Sequence, residues 1–258
     1  MKIATWNVNS IKARTAHVQR WLTAQQPDFL CLQELKGLEF PAGEFEGYES
    51  RFVGQKAYNG VAILSKKPCD LVLDKLPGDE SDEQARYLEV NVALDGQVVP
   101  LRLINIYLPN GNPAPGDKFE YKLRWMERLY QRLHELRTDE IPFVIMGDFN
   151  VIPEDRDCWD PNVWKEDALF RPETKAAWRK ILNLGLTDAF RAFNQADHQY
   201  TFWDYQAGCW PKDHGIRIDH FLLSPPVTDR LVSCTIDKAP RGEDSPSDHT
   251  PVILTLRP

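Results

Sequence analysis

Pro142-Phe143-Val144-Ile145-Met146-Gly147, followed by Asp148-Phe149-Asn150, is an apolar run that stops on polar side chains. A short continuous run of this kind reads as a core strand, here one that delivers Asp148 and Asn150 at its end. The same pattern recurs along the chain. Residues 2–7 and 28–33 read as buried strands. Residues 48–53 and 60–65 read as a strand pair around a polar turn at 54–59. Residues 86–94 and 98–108 are β-rich and are joined by Asp95-Gly96, a strong hairpin signal. Residues 217–224 and 251–256 supply the last strands.

Helical spacing is confined to three segments. Residues 14–26 carry Val18, Trp21 and Leu22 on one face and stop at Pro27. Residues 117–137 place Phe119, Leu123, Met126, Leu129, Tyr130, Leu133 and Leu136 at helical intervals. Residues 173–184 form the third helix, with Gly185 at its C-terminal cap. Strands outnumber helices, and hairpins mix with helical crossovers. The expectation is an α/β (α+β) fold, with two sheets packed face to face and helices outside.

The 258 residues suffice for one large domain, and no linker-like stretch or fixed-period repeat divides them. One domain over 1–258 is therefore expected. No apolar run approaches the ~20 residues a membrane helix needs, and Met1-Lys2-Ile3-Ala4-Thr5-Trp6-Asn7 lacks a secretory pattern. The five cysteines are scattered, with no Cys-x-x-Cys pair. That argues against a disulfide framework or a zinc site and for a reducing cytoplasm. A net charge of −7 argues against non-specific gripping of nucleic acid by a broad basic face. A local basic rim beside clustered carboxylates remains compatible with it.

Polar residues recur at the C-terminal ends of the apolar runs. Asn7 and Asn9 follow the first strand, Glu34 the second, Tyr107 and Asn110 a third, and Asp148 and Asn150 a fourth. Asp219 lies within a later strand, and Asp248-His249 precede the last one. Carboxylates and amide oxygens are hard donors that suit Mg²⁺ or Mn²⁺ better than Zn²⁺. Taken singly, each has an ordinary structural explanation as a turn, cap or packing residue. Asp219 resists it best, because a carboxylate flanked by Ile218 and Phe221 needs a partner.

Taken in order, the motifs are specific. Thr5-Trp6-Asn7-Val8-Asn9-Ser10, Leu32-Gln33-Glu34-Leu35-Lys36, Asn59-Gly60-Val61-Ala62-Ile63-Leu64-Ser65 and Tyr107-Leu108-Pro109-Asn110-Gly111 come first. Gly147-Asp148-Phe149-Asn150, Arg217-Ile218-Asp219-His220 and Pro246-Ser247-Asp248-His249-Thr250-Pro251 follow. Together they resemble the successive signature blocks of the exonuclease III family of abasic-site endonucleases, over essentially the whole chain.

That resemblance implies a four-layer α/β sandwich and Mg²⁺-dependent hydrolysis of phosphodiesters at abasic sites and at 3′ ends of duplex DNA. It implies that Glu34 is the principal metal carboxylate, within a metal set of Asn7, Asp148, Asn150, Asp248 and His249. Asp148 would orient or deprotonate the attacking water, with Tyr107 as the other candidate base. Asn150 and Asn110 would position the phosphate. His249, oriented by Asp219, would bind a phosphate oxygen.

Within Tyr200-Thr201-Phe202-Trp203-Asp204-Tyr205, Phe202 and Trp203 are candidate substrate contacts. Phe202 and Ile216 would line an apolar pocket for a base-free sugar. Ile216 stands where some relatives have tryptophan, which implies a roomier pocket and a weaker abasic preference. Gln55, Lys56, Tyr58 and Lys118 are candidate phosphate-backbone contacts. Residues 153–172 match no block and should border the site. A monomer is the default. The alternatives are a phosphoesterase of the same fold acting on a non-DNA ester, and a non-catalytic binding module. The second is disfavoured because Glu34, Asp148, Asp219 and His249 are all present.

Overall fold

The computed structural model describes residues 1–93 and 99–257. The strands are β1 (Lys2–Asn7), β2 (Phe29–Gln33), β3 (Glu49–Val53), β4 (Val61–Ser65), β5 (Cys69–Leu73) and β6 (Tyr87–Val92). They continue with β7 (Leu101–Tyr107), β8 (Phe143–Asp148), β9 (Thr187–Asp188), β10 (Asp219–Leu223), β11 (Leu231–Ile236) and β12 (Val252–Leu256). The helices are α1 (Ile11–Gln25), α2 (Asp117–Thr138), α3 (Pro161–Trp164), α4 (Pro172–Leu182) and α5 (Pro225–Thr228).

The strands form two six-stranded sheets, ordered β11-β12-β1-β2-β4-β3 and β5-β6-β7-β8-β10-β9. Each sheet has one parallel pair at its centre, β1–β2 and β7–β8, and its other pairs are antiparallel. A parallel pair needs a crossover; α1 supplies the first and α2 the second.

Alternation along the central strands builds the layers. Ile3, Phe29, Cys31, Val61, Leu103, Val144 and Met146 point between the sheets and form one core. Ala4, Trp6, Leu30, Leu32 and Leu64 point outward and pack with Val18, Trp21 and Leu22 of α1. On the far side, Ile104, Ile106, Phe143 and Ile145 pack with Trp125, Leu129 and Leu133 of α2 and Trp178 and Ile181 of α4. The result is the expected four layers of helix, sheet, sheet and helix.

One polar cluster interrupts the inter-sheet core. Asn105 of β7 donates through Nδ2 to the carbonyls of Leu32 (3.0 Å) and Ala62 (2.8 Å), across the gap between sheets. Gln33 donates to Asn105 Oδ1 (2.7 Å) and to Thr5 Oγ1 (2.9 Å). All three side chains are fully buried. They pin the carboxyl ends of β1, β2 and β7 to one another.

The strand expectations hold at the centre and miss the margins. Helix α1 begins at Ile11, earlier than the expected residue 14, and Ile11 joins its buried face; Ser10 and Ile11 bond back to the carbonyls of Glu34 and Leu35. The edge strands β5, β9 and β11 are half-exposed and short of apolar alternation, so sequence pattern passes over them, whereas the edge strand β3 falls within the expected 48–53. The Asp95-Gly96 turn lies outside the described residues, although the β6–β7 pair it was expected to join is antiparallel as anticipated. No helix among the described residues is long and apolar enough to cross a membrane.

Candidate active site

The two parallel pairs bring their carboxyl ends to the same rim, the usual place for ligands in open sheets. From β1 comes Asn7, from the end of β2 Glu34, from β7 Tyr107 and from β8 Asp148. Asp219 opens β10 directly opposite Asp148 in the antiparallel ladder. His249 arrives on the loop before β12. Sequence separations of up to 242 residues thus close into one cluster, and ligand atoms of Glu34, Asp148 and His249 lie within 4.8 Å of one another.

The backbone is held in unusual conformations around this cluster. Asn9, Glu34, Lys36 and Asn150 all have positive φ, at 44°, 54°, 55° and 47°. Non-glycine residues adopt that region at a free-energy cost, and such residues gather at functional sites. In β8 the chain needs a true glycine. Gly147 has φ +140°, and a Cβ there would lie 2.0 Å from the carbonyl oxygen of Ile106.

Hydrogen bonds fix the acidic pair. Asn7 Nδ2 donates to Glu34 Oε1 and to Asp148 Oδ2, both at 2.9 Å. The Tyr107 hydroxyl donates to Glu34 Oε1 at 2.9 Å. Lys36 Nζ pairs with Glu34 Oε2 at 2.9 Å and also donates to Asn9 Oδ1. The backbone N–H of Asn150 donates to Asp148 Oδ1 at 2.9 Å. Asn110 donates to Asn150 Oδ1 at 3.2 Å, and Asn150 donates to the Leu108 carbonyl at 2.8 Å.

His249 sits between two carboxylates. Its Nδ1 is 2.8 Å from Asp219 Oδ2, and its Nε2 is 3.7 Å from Asp148 Oδ2. Burial alone would lower the imidazole, but Asp219 and Asp148 outweigh it and push the group up to about 10. Asp148 is raised to about 7, first by burial and then by Asp219 and Glu34, while the His249 charge pulls it back. Glu34 is also buried, yet the Asn7 hydrogen bond and the Lys36 ammonium hold it below the ordinary carboxylate range. Burial, then Glu34 and Asp148, push the Tyr107 phenol well above its ordinary value. The phenol is therefore a donor in this arrangement.

These groups open onto a cleft of about 250 Å³. One wall carries Asn110, Asn150, Asp148 and His249; the other is apolar, built by Trp164, Leu169, Phe202, Ile216 and Ile218. Phe202 is placed by backbone bridges to both Ile216 and His249, and its ring meets the imidazole edge-on at 4.9 Å. The 153–172 segment does border the site, through Trp164, Asp167 and Leu169.

Several expectations are refined. Trp203 does not reach the cleft. It is fully buried, donates through Nε1 to Asp213 at 2.9 Å and packs edge-on against Trp210, so it is corrected to a core residue. Strand-like alternation around Phe202 turns its neighbour inward. Asn7 presents its amide nitrogen to the carboxylates, while its Oδ1 accepts from the Asn9 N–H at 3.0 Å. Asp248 lines the cleft but lies outside the tight trio, bonded instead to Asn9 Nδ2 at 3.1 Å. Gln55, Lys56, Tyr58 and Lys118 do not line the cleft, and Lys56, Tyr58 and Lys118 are solvent-exposed.

Arg86 is a residue that sequence reasoning missed. Its guanidinium lies 4.7 Å over the Tyr107 ring and donates to the Tyr107 carbonyl at 3.1 Å. Only the register Tyr87↔Ile106 reveals that Arg86 flanks Tyr107. Asn112 and Asp167 are likewise new. The Asn112 amide donates to both Asp167 carboxylate oxygens at 3.1 Å, across the mouth of the cleft.

Hard oxygens of half-buried Glu34, which already draws the Lys36 ammonium, and of buried Asp148 converge within reach of one ion and fit a divalent cation. Stacked sheets with such a rim define a class, the metal-dependent hydrolases of phosphate esters. The chain belongs to the Endonuclease/Exonuclease/phosphatase family, whose model matches residues 4–249. It is 32% identical to exodeoxyribonuclease III of Haemophilus influenzae, over 98% of each chain. Its fold matches an AP endonuclease from Archaeoglobus fulgidus with a TM-score of 0.92 and 37% identity, covering 99% of both chains. It also matches the 3′ phosphatase NExo from Neisseria, solved with a product DNA hairpin, with a TM-score of 0.93 and 37% identity over 99% of both chains.

Proposed function

We propose that this DNA-repair phosphodiesterase of exonuclease III type cleaves duplex DNA at abasic sites and clears blocked 3′ ends, with Mg²⁺ held chiefly by Glu34. The observation that carries the reading is the convergence of Glu34, Asp148 and His249 at the mouth of a cleft with one apolar wall. Mn²⁺ offers the same hard chemistry. The acting unit is proposed to be a single domain over 1–258 and a monomer, in the cytoplasm, a compartment supported by five free cysteines.

The residues divide the work. A phosphodiester is anionic and repels an attacking hydroxide, so the site must supply positive charge where charge grows. The bound cation supplies Lewis acidity at a phosphate oxygen. His249, kept as imidazolium by Asp219, faces the same phosphate with Nε2 and donates to another oxygen. Tyr107, held from behind by Arg86, donates its hydroxyl toward the phosphate. Asn110 and Asn150 fix the phosphate's orientation. Asp148, with a pKa of about 7, takes the proton of the attacking water. The P–O bond opposite the water breaks, and its leaving oxygen is protonated by solvent.

Phe202, Ile216 and Ile218 receive a sugar without its base. Lys56, Tyr58 and Lys118 hold flanking phosphates. The test is one purified sample on four end-labelled duplexes: internal abasic, 3′-phosphate, 3′-blocked and intact, with Mg²⁺ or with EDTA. Mg²⁺-dependent cleavage of the abasic duplex is expected, and His249→Asn should lower kcat by about 10²–10³-fold. Glu34→Ala should raise the Mg²⁺ requirement. Activity confined to a soluble phosphoinositide would sink the reading.

A further inference from the structure

Among the buried cationic side chains that the mechanism does not use, Lys122 reaches the residues of the site. Lys122 lies in the second turn of α2 and is fully buried. Its Nζ donates to the backbone carbonyl of Asn110 at 3.1 Å and to that of Asn150 at 2.5 Å. Both acceptors are neutral carbonyls, and both belong to residues assigned above to phosphate positioning. The lysine stem crosses the turn at Gly111, where φ is +89° and a Cβ would lie 2.7 Å from Lys122 Cδ. A glycine there leaves the path open.

The two carbonyls sit on chain segments that have just left the sheet. The β7–β8 ladder ends at Tyr107↔Asp148, with one further bond from Leu108 N to the Asp148 carbonyl. Beyond that point the turn at 108–112 and the turn at 149–152 need other ties. The side-chain bonds of Asn150 to Leu108 and Asn110 are two of them. The third comes from a helix in another layer, through an ammonium whose bonds are charge-assisted.

We propose that Lys122 is a positioning residue, whose ammonium clamps the turns after β7 and β8 together and so sets Asn110 and Asn150 against the scissile phosphate. The inference rests on the phosphate-positioning roles proposed for those two asparagines. Asn150 has positive φ, and its N–H also orients Asp148. A shift at its carbonyl therefore reaches both the phosphate and the base. Without the ammonium, two carbonyls lose a donor and the turns relax, and misplacement on the order of 1 Å can cost about 10²-fold in rate.

The test uses the full chain with Lys122→Met, which keeps the stem and removes the charge and the donors. Steady-state kinetics on the abasic duplex with Mg²⁺ are compared with the parent and with Leu133→Ala, a buried position three turns further along α2. Lys122→Met should lower kcat by about 10²-fold with KM within about threefold, the pattern of an interaction felt in the transition state. Leu133→Ala should lower Tm but leave kcat near the parent value at a temperature where it is folded. A folded Lys122→Met with kcat within about twofold of the parent overturns the proposal. So does an equal kcat loss in Leu133→Ala. If Lys122→Met does not fold, Lys122→Gln is judged by the same criteria. An inactive parent chain refutes the reading of the site and the clamp with it; an active parent with an unimpaired Lys122→Met refutes the clamp alone.

Discussion

Asp148 and Asp219 face each other across the β8–β10 ladder, an arrangement that like charges alone would make unfavourable. His249 resolves it by placing an imidazolium between them. Two groups bind their protons more tightly in the folded chain than in the unfolded one: His249, raised from 6.5 to about 10 against its own burial by Asp219 and Asp148, and Asp148, raised from 3.8 to about 7 by burial and then by Asp219 and Glu34. Raised folded pKa values contribute stability at low pH that is lost as pH climbs through them. In EDTA, stability should therefore fall from about pH 3.8 to pH 7 through Asp148, and from about pH 6.5 to pH 10 through His249. Asp219→Asn removes the main support of the imidazolium, so its stability should change less over the latter window. Urea melts at stepped pH check this; identical slopes for parent and variant would contradict it. At this scale much was legible in the sequence. Glu34, Asp148, Asp219 and His249 stand out as members of an ordered series of motif blocks, since singly each has an ordinary structural explanation. Trp203 misled because a single alternation decides whether an aromatic faces ligand or core. The raised proton affinity of His249 follows from Asp219 as its partner, whereas that of Asp148 was not legible, since it depends on burial and on neighbours remote in the chain.

Asn105 shows the element scale. It sits mid-strand in β7, and its amide crosses to the other sheet, where it meets the carbonyls of Leu32 and Ala62 and the Gln33 amide. A buried polar cluster of this kind fixes the relative slide of two sheets, which apolar packing alone would leave looser. Asn105→Leu should lower stability by about 1–3 kcal/mol, because the Gln33 amide loses its cross-sheet acceptor. The urea midpoint should drop with an unchanged slope; an unmoved midpoint would show that the cluster contributes nothing net. The central strands and the long helix α2 were readable from their apolar patterns. Strands β5, β9 and β11 were not, because partly exposed strands at and near the sheet margins carry weak alternation. The start of α1 was not, because bonds from the Glu34 turn decide it.

For the molecule as a whole, acidity and DNA binding are reconciled by geometry. The chain has 38 acidic and 31 basic side chains, and many acidic ones lie in buried pairs or around the cleft. Lys36 and Arg86 lie beside Glu34 and Tyr107 at the rim, while Lys56 and Lys118 are exposed outside the cleft lining. DNA affinity should fall with salt at roughly −0.9 per phosphate contacted, giving a log–log slope of about −2 to −4. Fluorescence anisotropy with a short abasic duplex measures it. A slope steeper than about −8 would mean a broad cationic face that this charge distribution does not provide.

The sequence alone determined the central strands, because burial on a pleated sheet leaves a period that can be read directly, and it determined the motif residues at their ends. The tertiary structure decided which of those residues converge within reach of one another, which amide face Asn7 presents, and that Arg86, Asp167 and Lys122 adjoin the same rim. Those are distances between segments remote in the chain. They are set by how two sheets stack and which turns a helix reaches over, and no local pattern encodes them.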